Sequence, residues 1–343
     1  MKAKSLFCIF NLFLIILGSS MNVQAADVTL RMHQFLPAKA NVPKDVLEVW
    51  AKKVEKDSKG KIKVQHYPSM QLGGNPTQLY DQVVEGVADI VWFVNGYAPS
   101  RLPRTEVFEL PFMMTDSEAT SRAFWELGEE IMFDKDFREV KVLGLWVHGP
   151  GLIHSKKPIT KMSDLNGVKL RAGSRILNKL FSDFGATPIG MPVPQVPQSL
   201  SKGVIDATLI PWEVTGALKV LELVSNHTSF GTPAIYTLTF VFAMNKNKYN
   251  SLPSDLKQVI DKNSGAKFSA FAGKVMGNAD NPARDKAKKR GNNLITLSPQ
   301  EIEKFKKASQ PTIDNWVKEM DEKNLDGTGL LKKARALLAK HSK

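Results

Sequence analysis

The chain of 343 residues contains a single cysteine, Cys8. An internal disulfide needs two, so noncovalent packing must hold the fold, and zinc cages built on several thiolates are excluded. The six histidines, His33, His66, His148, His154, His227 and His341, are scattered. No two stand at the four-residue spacing that places a pair of imidazoles on one helix face. Gly73-Gly74 precedes a helix start at Asn75, yet no Lys-Ser or Lys-Thr follows and the spaced glycines of a dinucleotide loop are missing, so a turn is the simpler reading. Carboxylates are plentiful, but no spacing pairs two of them for hydrolysis. No catalytic residue, cofactor or metal is therefore assigned.

Long apolar runs are equally scarce. The clearest lies at residues 6–17, behind Lys2 and Lys4 and ahead of the small-residue stretch Val23-Gln24-Ala25-Ala26. That order is the pattern of a secretory signal peptide, expected over residues 1–25 with cleavage near Ala25. The run falls short of the ~20 apolar residues of a membrane span. Cys8 would leave with it, and the exported remainder would have no thiol. That remainder is longer than the ~250–300 residues at which single cores divide, so two lobes are expected.

Acidic residues are the minority, 34 against 47 lysines and arginines, for a formal net charge of +13 that falls to +11 without Lys2 and Lys4. Such a value raises the question of nucleic acid. The excess is interleaved with acids, as in Lys52-Lys53-Val54-Glu55-Lys56-Asp57, which describes solvated helix faces, and an exported chain offers no nucleic-acid role. The basic cluster Lys332, Lys333, Arg335, Lys340 and Lys343 reads as a tail or contact surface.

Strands alternating with helices dominate what is present. Residues 28–33 form a strand pattern, followed by a helix over 43–59 with Val46, Leu47, Trp50 and Val54 on one face and Gly60 as its cap. A second strand at 62–66 precedes a helix that starts at Asn75-Pro76 and stops at Gly86. Residues 88–94 are apolar on both faces, as in a buried parallel strand. The fold class is α/β. Val84-Glu-Gly86-Val-Ala-Asp89-Ile90 is echoed by Ser201-Lys-Gly203-Val-Ile-Asp206-Ala207, which points to two similar lobes. Strands at 142–147 and 168–171 belong to the second lobe, whereas 240–244 returns to the first. The expected division is 26–149 plus 236–275 for the first lobe and 150–235 plus 276–343 for the second. From Ser254 onward the pattern is helical, with Gly265, Gly273, Gly277 and Asn281-Pro282 predicting a bent or broken helix. Ser298 and Glu301 have capping-box spacing and open a last helix through Trp316.

Arg171 stands apart chemically. It ends the strand Val168-Lys-Leu-Arg171 where Ala172-Gly173-Ser174 begins a loop, and ligands of open α/β sheets bind at that carboxyl edge. A guanidinium there grips a carboxylate through two parallel hydrogen bonds.

These segments, taken in order, resemble the substrate-binding subunits of tripartite ATP-independent periplasmic (TRAP) transporters of the dicarboxylate-binding type. The likeness covers nearly the whole exported chain. It is carried by Tyr67-Pro-Ser-Met-Gln-Leu-Gly73, Gly86-Val-Ala-Asp89, Val107-Phe-Glu-Leu-Pro-Phe112, Asp164-Leu-Asn-Gly-Val-Lys-Leu-Arg171, Gly185-Ala-Thr-Pro188 with Met191, and Gly203-Val-Ile-Asp206. The resemblance implies a monomeric, non-enzymatic periplasmic protein with two α/β lobes, a long helix crossing both, and closure on a small organic acid destined for TRAP membrane subunits. It implies that Arg171 pairs with the ligand carboxylate. By position, His33, Phe93, Asn95, Val193, Trp212 and Glu213 are expected at the cleft. Gly151 stands where some members carry a second arginine, and Ile210 where many carry an asparagine. With Trp212, Phe93 and Phe35 as apolar surface, a monocarboxylate with an apolar or aromatic body is favoured over a C4-dicarboxylate or a keto or hydroxy acid. Glu213 and His148 are candidates for selecting a hydroxyl or amine, or for the hinge. A binding protein of an ATP-driven transporter, a sensor component and a periplasmic enzyme remain as alternatives.

Overall fold

The computed structural model describes residues 27–342, so the expected signal peptide and Cys8 lie outside the described residues. The strands form two sheets. The first contains β1 (Val28–His33), β2 (Ile62–Tyr67), β3 (Ile90–Val94), β4 (Val140–Val147) and the later β10 (Thr239–Asn245), in the order β2-β1-β3-β10-β4. The second contains β5 (Leu152–Ser155), β6 (Lys169–Ala172), β7 (Thr187–Gly190), β8 (Ala207–Ile210), β9 (Asn226–Ser229) and β11 (Asn293–Thr296), in the order β11-β9-β5-β8-β6-β7. β4, read from the sequence as a strand of the second lobe, belongs instead to the first sheet, and the chain passes between sheets after it, before β10 and again before β11.

The echo seen in the sequence is a repeat of hydrogen bonding. In the first sheet Asp89 N–H donates to Arg31 O at 3.0 Å and the Asp89 carboxylate accepts from Arg31 N–H at 2.8 Å. In the second, Asp206 N–H donates to Lys169 O at 2.7 Å and its carboxylate accepts from Lys169 N–H at 3.4 Å. Gly86 and Gly203, at φ +79° and +69°, supply the left-handed turn between helix and strand in each copy. The equivalence carries two residues along each first strand, so His33 on β1 and Arg171 on β6 occupy matching positions.

Helix Ala266–Lys289 spans the two sheets. It packs on β4 and on helix Ser117–Leu127 in the first lobe, and its far end meets β11 in the second. The helical stretch from Ser254 is broken at Gly265, φ +88°, which separates helix Ser254–Lys262 from this one; beyond that point the chain is one helix with Pro282 inside it. Gly273 and Gly277 serve packing: a Cβ at these positions would come 2.3 Å from Ser121 Oγ and 2.3 Å from Ser117 Oγ. The absent side chains let two helix backbones approach closely.

Helix Pro299–Glu322 opens with Ser298 accepting from Glu301 N–H and runs past the predicted stop. The final helix, Gly327–His341, was expected with the second lobe; it packs both on helix Ser117–Leu127 of the first and on helix Pro299–Glu322. Its Leu330, Leu331, Ala334, Leu337 and Leu338 make a buried stripe, and Lys340 Nζ reaches Glu126 at 2.6 Å. The apolar stripe decides the location, since exposed ion pairs contribute little.

Candidate functional site

β6 ends at Ala172 because Gly173 turns the chain and the Ser174 hydroxyl caps the next helix, accepting from Leu177 N–H at 3.4 Å. A Cβ at position 173 would lie 2.8 Å from Leu238 Cδ1 and 3.2 Å from an Arg171 terminal nitrogen, so glycine leaves room for the guanidinium. Arg171 is 1% exposed. Its Nε donates to Met191 O at 2.9 Å, one terminal nitrogen to Leu209 O at 3.0 Å, and the other to the Tyr97 hydroxyl at 3.3 Å. A guanidinium has five N–H donors, so one on each terminal nitrogen remains. Among the described residues no Asp or Glu oxygen lies within 4.0 Å of it. Burying a cation without a counter-charge is costly, and the two free N–H groups, one on each terminal nitrogen, can bond a carboxylate.

The cavity in front of Arg171 is narrow, about 40 Å³. Phe35 stacks on Trp92 with ring centres 4.5 Å apart, Phe240 lies 5.3 Å from Trp92, and Leu209, Ile210, Val214 and Leu238 complete an apolar wall. The polar side chains on that wall are Tyr97, His148, Arg171 and Glu213. Tyr97 crosses from the first lobe to the second: its oxygen accepts from Arg171 and from Val193 N–H, the latter at 2.9 Å. The phenol proton stays available, and burial raises its pKa.

Three expected residues, Arg171, Val193 and Glu213, lie on this wall, and Phe35 with them. Four others lie behind it. Phe93 faces away because strand residues alternate, so Trp92 and Val94 face the cavity while Phe93 packs on Tyr80 and Tyr97. His33 bonds Gln82 at 2.8 Å and accepts from Leu72 N–H at 3.3 Å, fixing the loop after β2. Asn95 is buried with neither side-chain amide atom bonded among the described residues. Trp212 turns into a separate small cluster with Leu152, Leu221 and Ala287.

His148 ties two of the crossover segments together. Its Nδ1–H donates to Gly149 O and its Nε2 accepts from Leu238 N–H at 3.0 Å. Burial, with the Arg171 charge as a lesser cause, pushes its pKa down to about 4 and keeps it neutral. Gly151 has its side-chain space filled by the Tyr236 ring, 2.3 Å from where a Cβ would stand, so no larger residue fits there.

Lobe-to-lobe contacts ring the cavity. A Cβ on Gly96 would sit 2.7 Å from Ser174 Cβ and 3.3 Å from Gly173 O across the cleft. Farther out, Arg175 grips Glu106 through two bonds of 2.6 Å and reaches Glu319 at 2.7 Å, while Trp316 Nε1 donates to Glu106 at 2.9 Å.

Behind Ile210 lies a chain of bonds with one consistent proton arrangement. Asn292 donates to His227 Nε2 at 2.9 Å, His227 Nδ1–H donates to His154 Nδ1 at 2.7 Å, and His154 Nε2–H donates to Ile210 O at 3.2 Å. Both imidazoles must be neutral. Burial pushes His227 down to about 4, and burial plus the His227 neighbour holds His154 well below the usual value. In the unfolded chain both titrate near 6.5. Their contribution to stability is full above pH 6.5 and is lost as pH falls toward 4, with a slope of about 1.4 kcal/mol per pH unit for each. Glu213 and Asp280, raised to about 8 and about 7 chiefly by burial, act oppositely and lose stability as pH rises. Urea unfolding should therefore give a stability gap between the wild type and a His154→Leu, His227→Leu variant that grows from pH 4 to 6.5 and then levels. A gap independent of pH contradicts the neutral pair.

Two sheets sharing crossover segments, a long bridging helix and a cavity around an uncompensated arginine define a two-lobed binding protein for small anionic solutes. The model of the bacterial extracellular solute-binding protein, family 7 (DctP) matches residues 32–319, and the chain belongs to that family. A TRAP solute-binding protein from Rhodoferax ferrireducens T118, solved with copurified benzoate, is 46% identical at a TM-score of 0.89, covering 92% of this chain and 98% of its own. A marine-metagenome TRAP solute-binding protein specific for aromatic acids, solved with 3-hydroxybenzoate, is 43% identical at 0.90, covering 93% and 100%. One from Bordetella bronchiseptica with bound mandelate is 25% identical at 0.84, covering 91% and 99%. The chain is thus a TRAP-type solute-binding protein.

Proposed function

We propose that this protein captures an aromatic monocarboxylate in the periplasm and presents it to the membrane subunits of a TRAP transporter. The observation that carries the reading is Arg171, buried without a carboxylate partner among the described residues and facing aromatic walls. The benzoate and 3-hydroxybenzoate held by the relatives that are 46% and 43% identical have the same chemistry. Binding closes the lobes, and the closed surface is what the membrane subunits recognise. A dicarboxylate fits less well, because among the described residues no second cationic side chain lines the cavity to pair with its other charge. In differential scanning, benzoate at 100 times its Kd stabilises the fold by about 2.7 kcal/mol and raises Tm visibly. Succinate at the same concentration leaves Tm unchanged. The reverse order of the two ligands overturns the proposal.

A further inference from the structure

Four polar side chains line the cavity, and three have their hydrogen bonds accounted for. Tyr97 and Arg171 bond to each other and face the ligand carboxylate, and both His148 nitrogens are taken by main chain. Glu213 differs: among the described residues its carboxyl has neither a hydrogen-bond nor an ion-pair partner, while its backbone N–H donates to Asp280 Oδ1 at 2.9 Å.

This corner is built. Asp280 reaches in from the long helix through space that Gly149 leaves open, since a Cβ there would come 2.0 Å from Asp280 Oδ2. Two residues on, Gly151 makes room for the Tyr236 ring, whose side chain is 1% exposed overall and whose hydroxyl also has no partner among the described residues. Tyr236 lies near enough to both Arg171 and Asp280 to feel their charges. The Glu213 carboxyl is half-buried on the cavity wall without a protein partner among the described residues, so a ligand group that bonds it takes the place of solvent there.

We propose that Glu213, positioned by Asp280, receives a hydroxyl on the ligand ring, so that hydroxylated aromatic monocarboxylates are the preferred ligands. The inference rests on the aromatic-acid reading above and adds the second point of recognition. Burial first, and the Asp280 charge second, raise Glu213 to about 8, so near pH 7 its carboxyl is largely protonated and both donates and accepts. A phenolic hydroxyl does the same, and the two are complementary. A second carboxylate on the ligand finds no cationic partner beside Glu213 among the described residues. An unsubstituted ring leaves Glu213 unpaired.

The test is calorimetry at pH 7 with benzoate, 3-hydroxybenzoate and 4-hydroxybenzoate on the wild type, Glu213→Leu and Glu213→Gln. At least one hydroxylated acid should bind the wild type about tenfold more tightly than benzoate, the worth of one hydrogen bond to a site that otherwise stays unpaired. In Glu213→Leu that ratio should fall to about one, with benzoate gaining affinity because the ring now meets an apolar side chain. Glu213→Gln, which still donates and accepts, should keep part of the preference. Equal wild-type affinity for all three acids overturns the Glu213 assignment while leaving the aromatic-acid reading intact, and this comparison needs no variant. A preference that survives in Glu213→Leu overturns it as well. Absence of binding by all three overturns both.

Discussion

Replacing Arg171 by alanine should lower the affinity for benzoate by about 100-fold or more. A hydrogen bond to a charged group contributes about 1.5–3 kcal/mol, and two are lost together, so the lower end of the sum is already about 3 kcal/mol. The loss is not one of charge alone. Arg171→Lys keeps the cation but has no planar fork, cannot hold Met191 O, Leu209 O and Tyr97 at once, and should recover little of the affinity. Both variants should also melt earlier, because those two carbonyls lose their donor inside the fold. Reading affinity at a temperature well below each variant's own Tm separates the two effects. Affinity within threefold of wild type in Arg171→Ala would show that the ligand carboxylate sits elsewhere.

Gly96→Val should act without touching the ligand. The new Cβ would stand 2.7 Å from Ser174 Cβ, 3.3 Å from Gly173 O and 3.2 Å from Glu109 Oε2. Two of those neighbours belong to the opposite lobe, and the least costly relief is for the lobes to stay apart. Overpacking of this kind costs about 1–3 kcal/mol, and every kilocalorie set against closure reduces the competent population and hence the apparent affinity. Benzoate binding should weaken by at least about tenfold. Solution scattering should find the variant more extended than the wild type at equal benzoate saturation. A variant that closes normally would mean that the Gly96 contact yields locally and does not gate the lobes.

Much of this was legible in the sequence, for identifiable reasons. The helix-to-strand unit recurred because each copy needs a glycine at positive φ and an aspartate that ties two adjacent strands, and those demands are written over a few consecutive residues. Arg171 was legible because the residue type and its place at a strand end carry the chemistry together. The wall was legible only in part. Choosing Phe93 over Trp92 is an error of strand phase: period-two alternation was available, but which face meets the cavity depends on β10 packing alongside. Tyr97 and Asp280 had no local signal, since their partners lie 74, 96 and 67 residues away in the chain. Trp212 was drawn off by the His154 and His227 rings, 5.2 and 4.9 Å from it, a pairing that exists only after β5, β8 and β9 assemble. Gly265 divides two helices as read, whereas Gly273 and Gly277 lie inside one; a glycine that allows close packing and a glycine that ends a helix look alike in sequence.

The most direct test is a calorimetric cycle of two proteins and two ligands: wild type and Arg171→Ala, each with benzoate and with benzamide, its neutral isostere. If the buried guanidinium clamps a carboxylate, the wild type prefers benzoate by about 100-fold or more and the variant distinguishes the two by less than about threefold. Equal affinity of the wild type for benzoate and benzamide, or a preference that persists without Arg171, would contradict the clamp.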